Sequence, residues 1–141
     1  MRNLALASSL LFLIFFLASC ASQNSHILND GSGSQLELRQ IQTRSYETTD
    51  KPKVIQNVLA SMQDSAFVID KADEIVGVVS GTKYMGHYTI KMTTAVKSRS
   101  DETIVRVNAR INHETITDPK IYQDFFSLLS KSLFLDANSV D

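Results

Sequence analysis

Polar and apolar residues alternate most regularly over residues 88–111. The alternation runs through two stretches, separated by the polar segment 98–102. Side chains two residues apart on a strand point to the same face, so this pattern predicts an antiparallel hairpin with one apolar and one polar face. The apolar positions are Tyr88, Ile90, Met92 and Val96 in the first stretch and Val105, Val107, Ala109 and Ile111 in the second.

Two other segments have the spacing of amphipathic helices. The first begins at Thr49 or Asp50, a capping residue, with Pro52 in the first turn, and the second begins at Thr117 or Asp118 with Pro119. One face of the first helix carries Val54, Ile55, Val58, Leu59 and Met62. In the second helix the apolar stripe is Ile121, Phe125, Leu128 and Leu129, broadened by Tyr122, Phe126 and Leu133.

The remaining apolar runs predict further strands. Leu36–Glu47 lacks Gly and Pro and is interpreted as a first strand, although its alternation is imperfect. Ala66–Ile69 and Ile75–Thr82 predict a second hairpin, in which Gly77 and Gly81 indicate a bulge or a close backbone approach. We therefore predict an α+β two-layer sandwich in the order β-α-β-β-β-α, with an antiparallel sheet of about four strands and two helices on one face.

The N-terminal segment is typical of an export signal. Arg2 precedes an apolar run from Leu4 to Ala18 that is short for a membrane span. The run ends in Leu17-Ala18-Ser19-Cys20, which resembles the lipobox of bacterial lipoproteins. This resemblance implies cleavage between Ser19 and Cys20 and a diacylglycerol on the Cys20 sulfur. The predicted organisation is a signal peptide over 1–19, a lipidated Cys and flexible tether over 20–34, and a single domain over 35–141.

Composition narrows the function classes. The chain has 141 residues, 14 Lys and Arg against 15 Asp and Glu, one Cys and three His. This charge balance argues against nucleic-acid binding, and a single lipid-carrying Cys leaves no internal disulfide and no thiol nucleophile. We predict no cofactor and no metal, because no His or Cys pair has the short spacing of a zinc site. His26, His87 and His113 are interpreted as surface residues, so a hydrolase is the weakest hypothesis.

A row of long polar side chains on the predicted first strand is the candidate contact surface for a partner. It contains Arg39, Gln40, Gln42 and Arg44, and Arg106 and Arg110 extend it if the last strand is a neighbour of the first. Such side chains can recognise a partner through charge-assisted hydrogen bonds. The alternative, weighed equally, is an edge strand whose charges prevent pairing with other edges.

Three segments together resemble a family of small proteobacterial outer-membrane lipoproteins without an established activity. They are residues 39–48, the stretch from Phe67 to Ser80, and residues 118–135. The helix and the following strand are also loosely similar to the repeated module in the C component of the β-barrel assembly machinery. There Ser65-Ala66 stands where such modules often have Gly, which implies a different turn. Neither resemblance supplies catalytic residues.

The resemblance implies an envelope lipoprotein, and Ala21 after the Cys implies sorting to the outer membrane. We expect a non-catalytic accessory or scaffold in an envelope protein complex, facing the periplasm. Display on the cell surface is the other orientation that the sequence allows. The alternative is a carrier of a small apolar ligand or lipid, with a cavity lined by residues such as Ile90, Met92, Val107, Phe125 and Leu129.

Overall fold

The computed structural model describes residues 35–138, which form three helices and six strands. In chain order these are α1 (Gln35–Ile41), β1 (Thr43–Tyr46), α2 (Lys51–Asp64), β2 (Val68–Asp73), β3 (Val78–Met85), β4 (Tyr88–Ser98), β5 (Thr103–Ile111), β6 (Glu114–Thr115) and α3 (Pro119–Asn138). The described part of the chain is therefore α+β, the predicted class.

All strand pairs in the sheet are antiparallel. The strand order is β1-β5-β4-β3-β2, and β6 pairs with the far end of β5. The predicted hairpin forms β4 and β5, with nine aligned pairs from Ile90–Ile111 to Ser98–Thr103. β1 lies beside β5, with Thr43 opposite Arg106, so the last long strand is indeed a neighbour of the first.

The predicted counts of strands and helices are wrong. The sheet has six strands rather than about four, because the two hairpins alone supply four, β1 adds one, and the two-residue β6 is too short to leave a pattern. The third helix is α1, which occupies the first half of the segment predicted as one long strand. Leu38 and Ile41, three residues apart, both pack against the core from this helix, which explains the imperfect alternation.

The start of α2 is as predicted. Asp50 is its N-cap, and its Oδ1 accepts a hydrogen bond of 3.0 Å from the Lys53 amide, while Pro52 lies in the first turn. At the other end, the Phe67 amide donates to the Met62 carbonyl and the Ala66 amide to the Gln63 carbonyl. This is a Schellman closure, and it places Ala66 in the left-handed region at φ 61°.

The hairpin of β2 and β3 is shifted toward the C-terminus from its predicted bounds. Val76 donates to the Asp73 carboxylate and Gly77 to the Asp73 carbonyl, so the turn lies at residues 74–77. Gly77 has φ +82°, and a Cβ there would overlap the Val96 carbonyl oxygen, so the predicted close approach is confirmed. Ile75, predicted to lie in a strand, is 93% exposed in the turn.

α2 and α3 cover one face of the sheet and bury a single core. Val54, Ile55, Val58 and Met62 of α2 and Tyr122, Phe125, Phe126 and Leu129 of α3 are all buried, as their spacing predicts. They pack against Val79, Met92, Val96, Val105, Val107 and Ala109 of the sheet. Leu128 is an exception, 39% exposed on the outer side of α3. The other face of the sheet is uncovered in the described residues.

Candidate functional site

The predicted polar row does not exist as a continuous strand surface. Arg39 and Gln40 lie exposed on α1, not on a strand. Gln42, in the link between α1 and β1, is only 4% exposed. Its Nε2 donates to the Tyr122 hydroxyl at 3.2 Å and its carbonyl accepts from the Val107 amide. Gln42 therefore fixes α1 to α3 and β5 and is inaccessible to a partner.

Arg44 lies on the side of β1 that faces the helices. Residues opposite each other in a sheet share a face, and Arg44 is opposite the buried Val105. Its guanidinium carbon is 5.5 Å from the centre of the Phe126 ring, a cation–π distance. Next to it the Tyr46 hydroxyl is 3.4 Å from the Ser130 hydroxyl, and burial raises the pKa of Tyr46. Arg44 is thus separated from the other predicted contact residues.

Arg39 and Arg106 are brought together on the uncovered side. Both border a depression of about 350 Å³ between α1 and the paired β5 and β6, also lined by Asn108, Thr115 and Thr117. The Arg106 Nε donates to the Thr43 hydroxyl at 3.4 Å. Arg39 comes from a helix that the sequence pattern assigned to a strand, and Arg106 from the middle of a predicted strand; both line this one depression.

The uncovered face of β4 and β5 is basic. Lys91 is opposite Arg110, and Lys97 and Arg106 lie further along the same two strands. All four side chains are exposed, and the outward positions between them are Thr93, Ala95 and Asn108. We call these four cations the basic face. Along the strands, from Lys91 to Lys97, it extends for roughly 20 Å, at about 3.3 Å per residue.

None of the four basic-face residues has an acidic partner within 4.0 Å among residues 35–138. The ion pairs found there join Lys53 to Asp136, Arg99 to Glu102 and Lys120 to Asp124. Outward-facing carboxylates of the sheet lie on β2, beyond β3. Lys91 and Lys97 were not among the predicted contact residues, although both occupy polar positions of the alternating hairpin, whose register would have placed them beside Arg106 and Arg110.

The histidines considered for catalysis or metal binding that the structure describes are exposed in turns. His87 and His113 are exposed in the turns after β3 and β5, and His26 lies outside the described residues. Residues 35–138 contain no group of three or more His, Cys, Asp or Glu side chains positioned to hold a metal ion.

The residues expected to line a ligand cavity are packed against one another. Met92, Val107, Phe125 and Leu129 are at most 3% exposed in the core cluster, and Ile90 packs against it. Their apolar surface is thus used to hold the helices on the sheet.

The predicted lipidation site, Cys20, and the cleavage position after Ser19 lie outside the described residues, as does the tether over 20–34. Within residues 35–138, no helix has both the length and the apolar character needed to cross a bilayer.

Comparison with models of known protein families finds none that matches the chain. Comparison with curated protein sequences finds no significant match. The resemblance to small outer-membrane lipoproteins stays a prediction.

Proposed function

We propose that this chain is a lipid-anchored outer-membrane lipoprotein, facing the periplasm, that acts as a non-catalytic accessory in an envelope protein complex. In this proposal the acyl groups on Cys20 hold the domain at the membrane, and the basic face binds an acidic surface of a partner protein. The observation that carries the proposal is the basic face: four exposed cations on two adjacent strands, with no carboxylate at the outward positions of those two strands.

These charges do not stabilise the sheet, so we assign them to the binding of a partner. Like charges opposite each other on a sheet destabilise it, and Lys91 is directly opposite Arg110. Negative charge brought to this face would relieve that repulsion, and an acidic partner would accept charge-assisted hydrogen bonds from Arg106. Arg39 and Arg106 at the α1 depression continue the same surface toward the edge of the sheet. Arg110 is the other predicted contact residue that this surface retains.

Site-specific photocrosslinking in intact cells tests the proposal. A photoreactive residue at Thr93, exposed at the centre of the basic face, is compared with one at Gln63, exposed on α2 in the opposite layer. We expect an envelope protein to be captured from Thr93 and not from Gln63. Capture should be lost in the double variant Lys97→Glu with Arg106→Glu, and kept in Lys131→Glu, a matched reversal of an exposed lysine on α3.

Two results would contradict the proposal. Equal capture from both positions would show that the basic face has no selectivity. Capture of lipid without protein from Thr93 would favour the carrier instead. The anchor is tested separately, by mass spectrometry of the N-terminal peptide and by the fractionation of a Cys20→Ser variant, which should leave the membrane fraction.

A further inference from the structure

One end of the sheet carries a cluster of exposed aromatic and aliphatic side chains. Tyr84 is 69% exposed, Met85 42%, Tyr88 39% and Ile111 37%. Met85 and Tyr88 close the β3–β4 turn, while Ile111 joins them because it pairs with Ile90 at the end of β5. We call these four residues the aromatic tip. Tyrosine is favoured where one end of a side chain is apolar and the other is wet, as at a membrane surface.

Basic groups surround the aromatic tip. Lys91 is three residues after Tyr88, and Arg110, opposite Lys91 on β5, is one residue before Ile111. Lys83 precedes the tip on β3, with its ammonium 6.0 Å from the centre of the Phe67 ring. His87 and His113 occupy its two turns, and Glu114, opposite Ile111, is the carboxylate of that short β6 strand. Exposed apolar side chains flanked by the cations Lys91 and Arg110 complement the anionic headgroups and the acyl boundary of a phospholipid bilayer.

The opposite end of the sheet also exposes apolar residues, but its charge is different. Ile75 and Val76, 93% and 66% exposed, lie in the β2–β3 turn next to Asp73 and Glu74. The β4–β5 turn at the same end contains a further acidic pair, Asp101 and Glu102, of which Glu102 pairs with Arg99, and the Lys51 ammonium donates to the Ile75 carbonyl. With four carboxylates beside its exposed apolar residues, this end suits anionic headgroups less than the aromatic tip does, so the two ends of the sheet are not equivalent toward a membrane.

The described chain begins near the basic end. Gln35 borders the α1 depression together with Asn108 and Thr115, and Thr115 pairs with Arg110, the residue before Ile111. In the proposed function 14 residues, Ala21 to Ser34, separate Gln35 from the lipid on Cys20, and a coil of that length spans roughly 20 Å. With the lipid on Cys20, a connection of this length to Gln35 favours an orientation in which the aromatic tip, and not the opposite end of the sheet, faces the bilayer.

From this juxtaposition we propose that the aromatic tip is a membrane-contact site, which inserts Tyr84, Met85, Tyr88 and Ile111 into the interface of a bilayer containing anionic phospholipid. The inference rests on the lipid anchor of the proposed function. The sheet then stands on the membrane, Lys91 and Arg110 lie at the headgroups, and Lys97 and Arg106 remain available to the partner protein.

The chain contains no Trp, so a single introduced Trp reports its own surroundings. The full acylated protein carrying Tyr84→Trp is reconstituted in vesicles of phosphatidylethanolamine and phosphatidylglycerol with brominated acyl chains. The control is Gln63→Trp, on the outer surface of α2. We expect the tip Trp to emit at shorter wavelength and to lose roughly half of its fluorescence or more, because interfacial side chains lie about 5–10 Å into the headgroup and acyl boundary. The control Trp should be unchanged.

Flotation of the same vesicles separates the two proposals. Protein that floats with the vesicles while both Trp variants stay unquenched would keep the anchor and overturn the membrane contact. Protein that stays at the bottom of the gradient would overturn the anchor, and the contact with it. As a test of charge, Arg110→Glu added to Tyr84→Trp should reduce quenching in vesicles with phosphatidylglycerol, and unchanged quenching would contradict the role given to Lys91 and Arg110 at the headgroups.

Discussion

Replacing Tyr122 by Phe removes one buried hydroxyl that joins three parts of the fold. This hydroxyl donates to the Ile116 carbonyl at 2.6 Å and accepts from the Gln42 amide at 3.2 Å. Tyr122 is 0% exposed, Gln42 4% and Ile116 6%, so water cannot replace the lost bonds. An unsatisfied buried polar group costs about 1–3 kcal/mol. Because the Gln42 Nε2 donor and the Ile116 carbonyl acceptor both lose their partner, we expect Tyr122→Phe to lower the free energy of unfolding by roughly 2 kcal/mol.

Gln42→Leu should cost less, about 1 kcal/mol, because the Tyr122 hydroxyl keeps its bond to Ile116. The double variant should lose about 1 kcal/mol less free energy of unfolding than the two single losses added together, since the Gln42–Tyr122 bond can be lost only once. Tyr84→Phe is a matched control, because its hydroxyl is on an exposed side chain. That change should stay within roughly 0.5 kcal/mol.

The measurement is urea and thermal unfolding of residues 21–141, followed by circular dichroism. This part of the chain contains the whole core cluster, from Val54 to Leu129. A loss of 2 kcal/mol corresponds to a fall in Tm of roughly 8 °C for a domain of about this size. A Tyr122→Phe variant as stable as the control, or strictly additive effects of the two substitutions, would refute the hydrogen-bonded link between α1 and α3.

Three further substitutions test other features. Ala66→Gly should raise the free energy of unfolding by roughly 0.5–1 kcal/mol, because Ala66 has φ 61° and glycine adopts this conformation without strain; a loss of stability in urea unfolding would contradict this. Thr94→Val should stabilise by about 1 kcal/mol, because the buried Thr94 hydroxyl has no hydrogen-bond partner among the described residues; the same assay would show a decrease if an ordered water satisfies it. Hydrogen bonds from Asn57 and Lys53 lower the pKa of Asp136, so the stability that this carboxylate adds is present above the usual aspartate pKa of about 3.9 and is lost as the pH falls through the lowered value. Asp136→Asn should therefore flatten the acid limb of the stability profile, and an unchanged limb would count against these hydrogen bonds.

Sequence patterns predict the fold well where the local signal and the packing agree. The alternation is regular along the middle of β4 and β5, because the inward side chains there are buried under the helices and the outward side chains meet solvent. The buried ones are Met92, Thr94, Val96, Val105, Val107 and Ala109, and the exposed ones are Lys91, Thr93, Ala95, Arg106, Asn108 and Arg110. α2 is likewise predictable, since Asp50 caps it and Pro52 suits its first turn. The apolar faces of α2 and α3 follow from their spacing.

The first segment fails because its outcome is decided by distant contacts. Leu38 and Ile41 fit a helical turn only when the core is there to receive them, and the chain changes to β1 at Gln42, whose partners Tyr122 and Val107 are far away in sequence. The predicted row of polar side chains is divided for the same reason. A strand would have presented Gln42 and Arg44 together, whereas the structure buries one and turns the other toward Phe126.

The edge strand β2 has a bulge that affects how it can pair with the sheet edge of another copy of the chain. Ile69 is opposite Gly81 and Lys71 opposite Ser80, so Asp70 is an extra residue, and its carboxylate accepts from the Thr82 hydroxyl at 2.7 Å. A bulge of this kind breaks the regular ladder that a second strand would need, and Lys71 places a charge beside it.

For a protein held at a membrane as proposed, this matters more than it would in bulk solution. Copies confined to a plane meet repeatedly in similar orientations, with their sheet edges at the same height. An unbroken edge would then favour side-by-side polymerisation of the lipoprotein, and the bulge with Lys71 removes from β2 the regular ladder that such pairing needs.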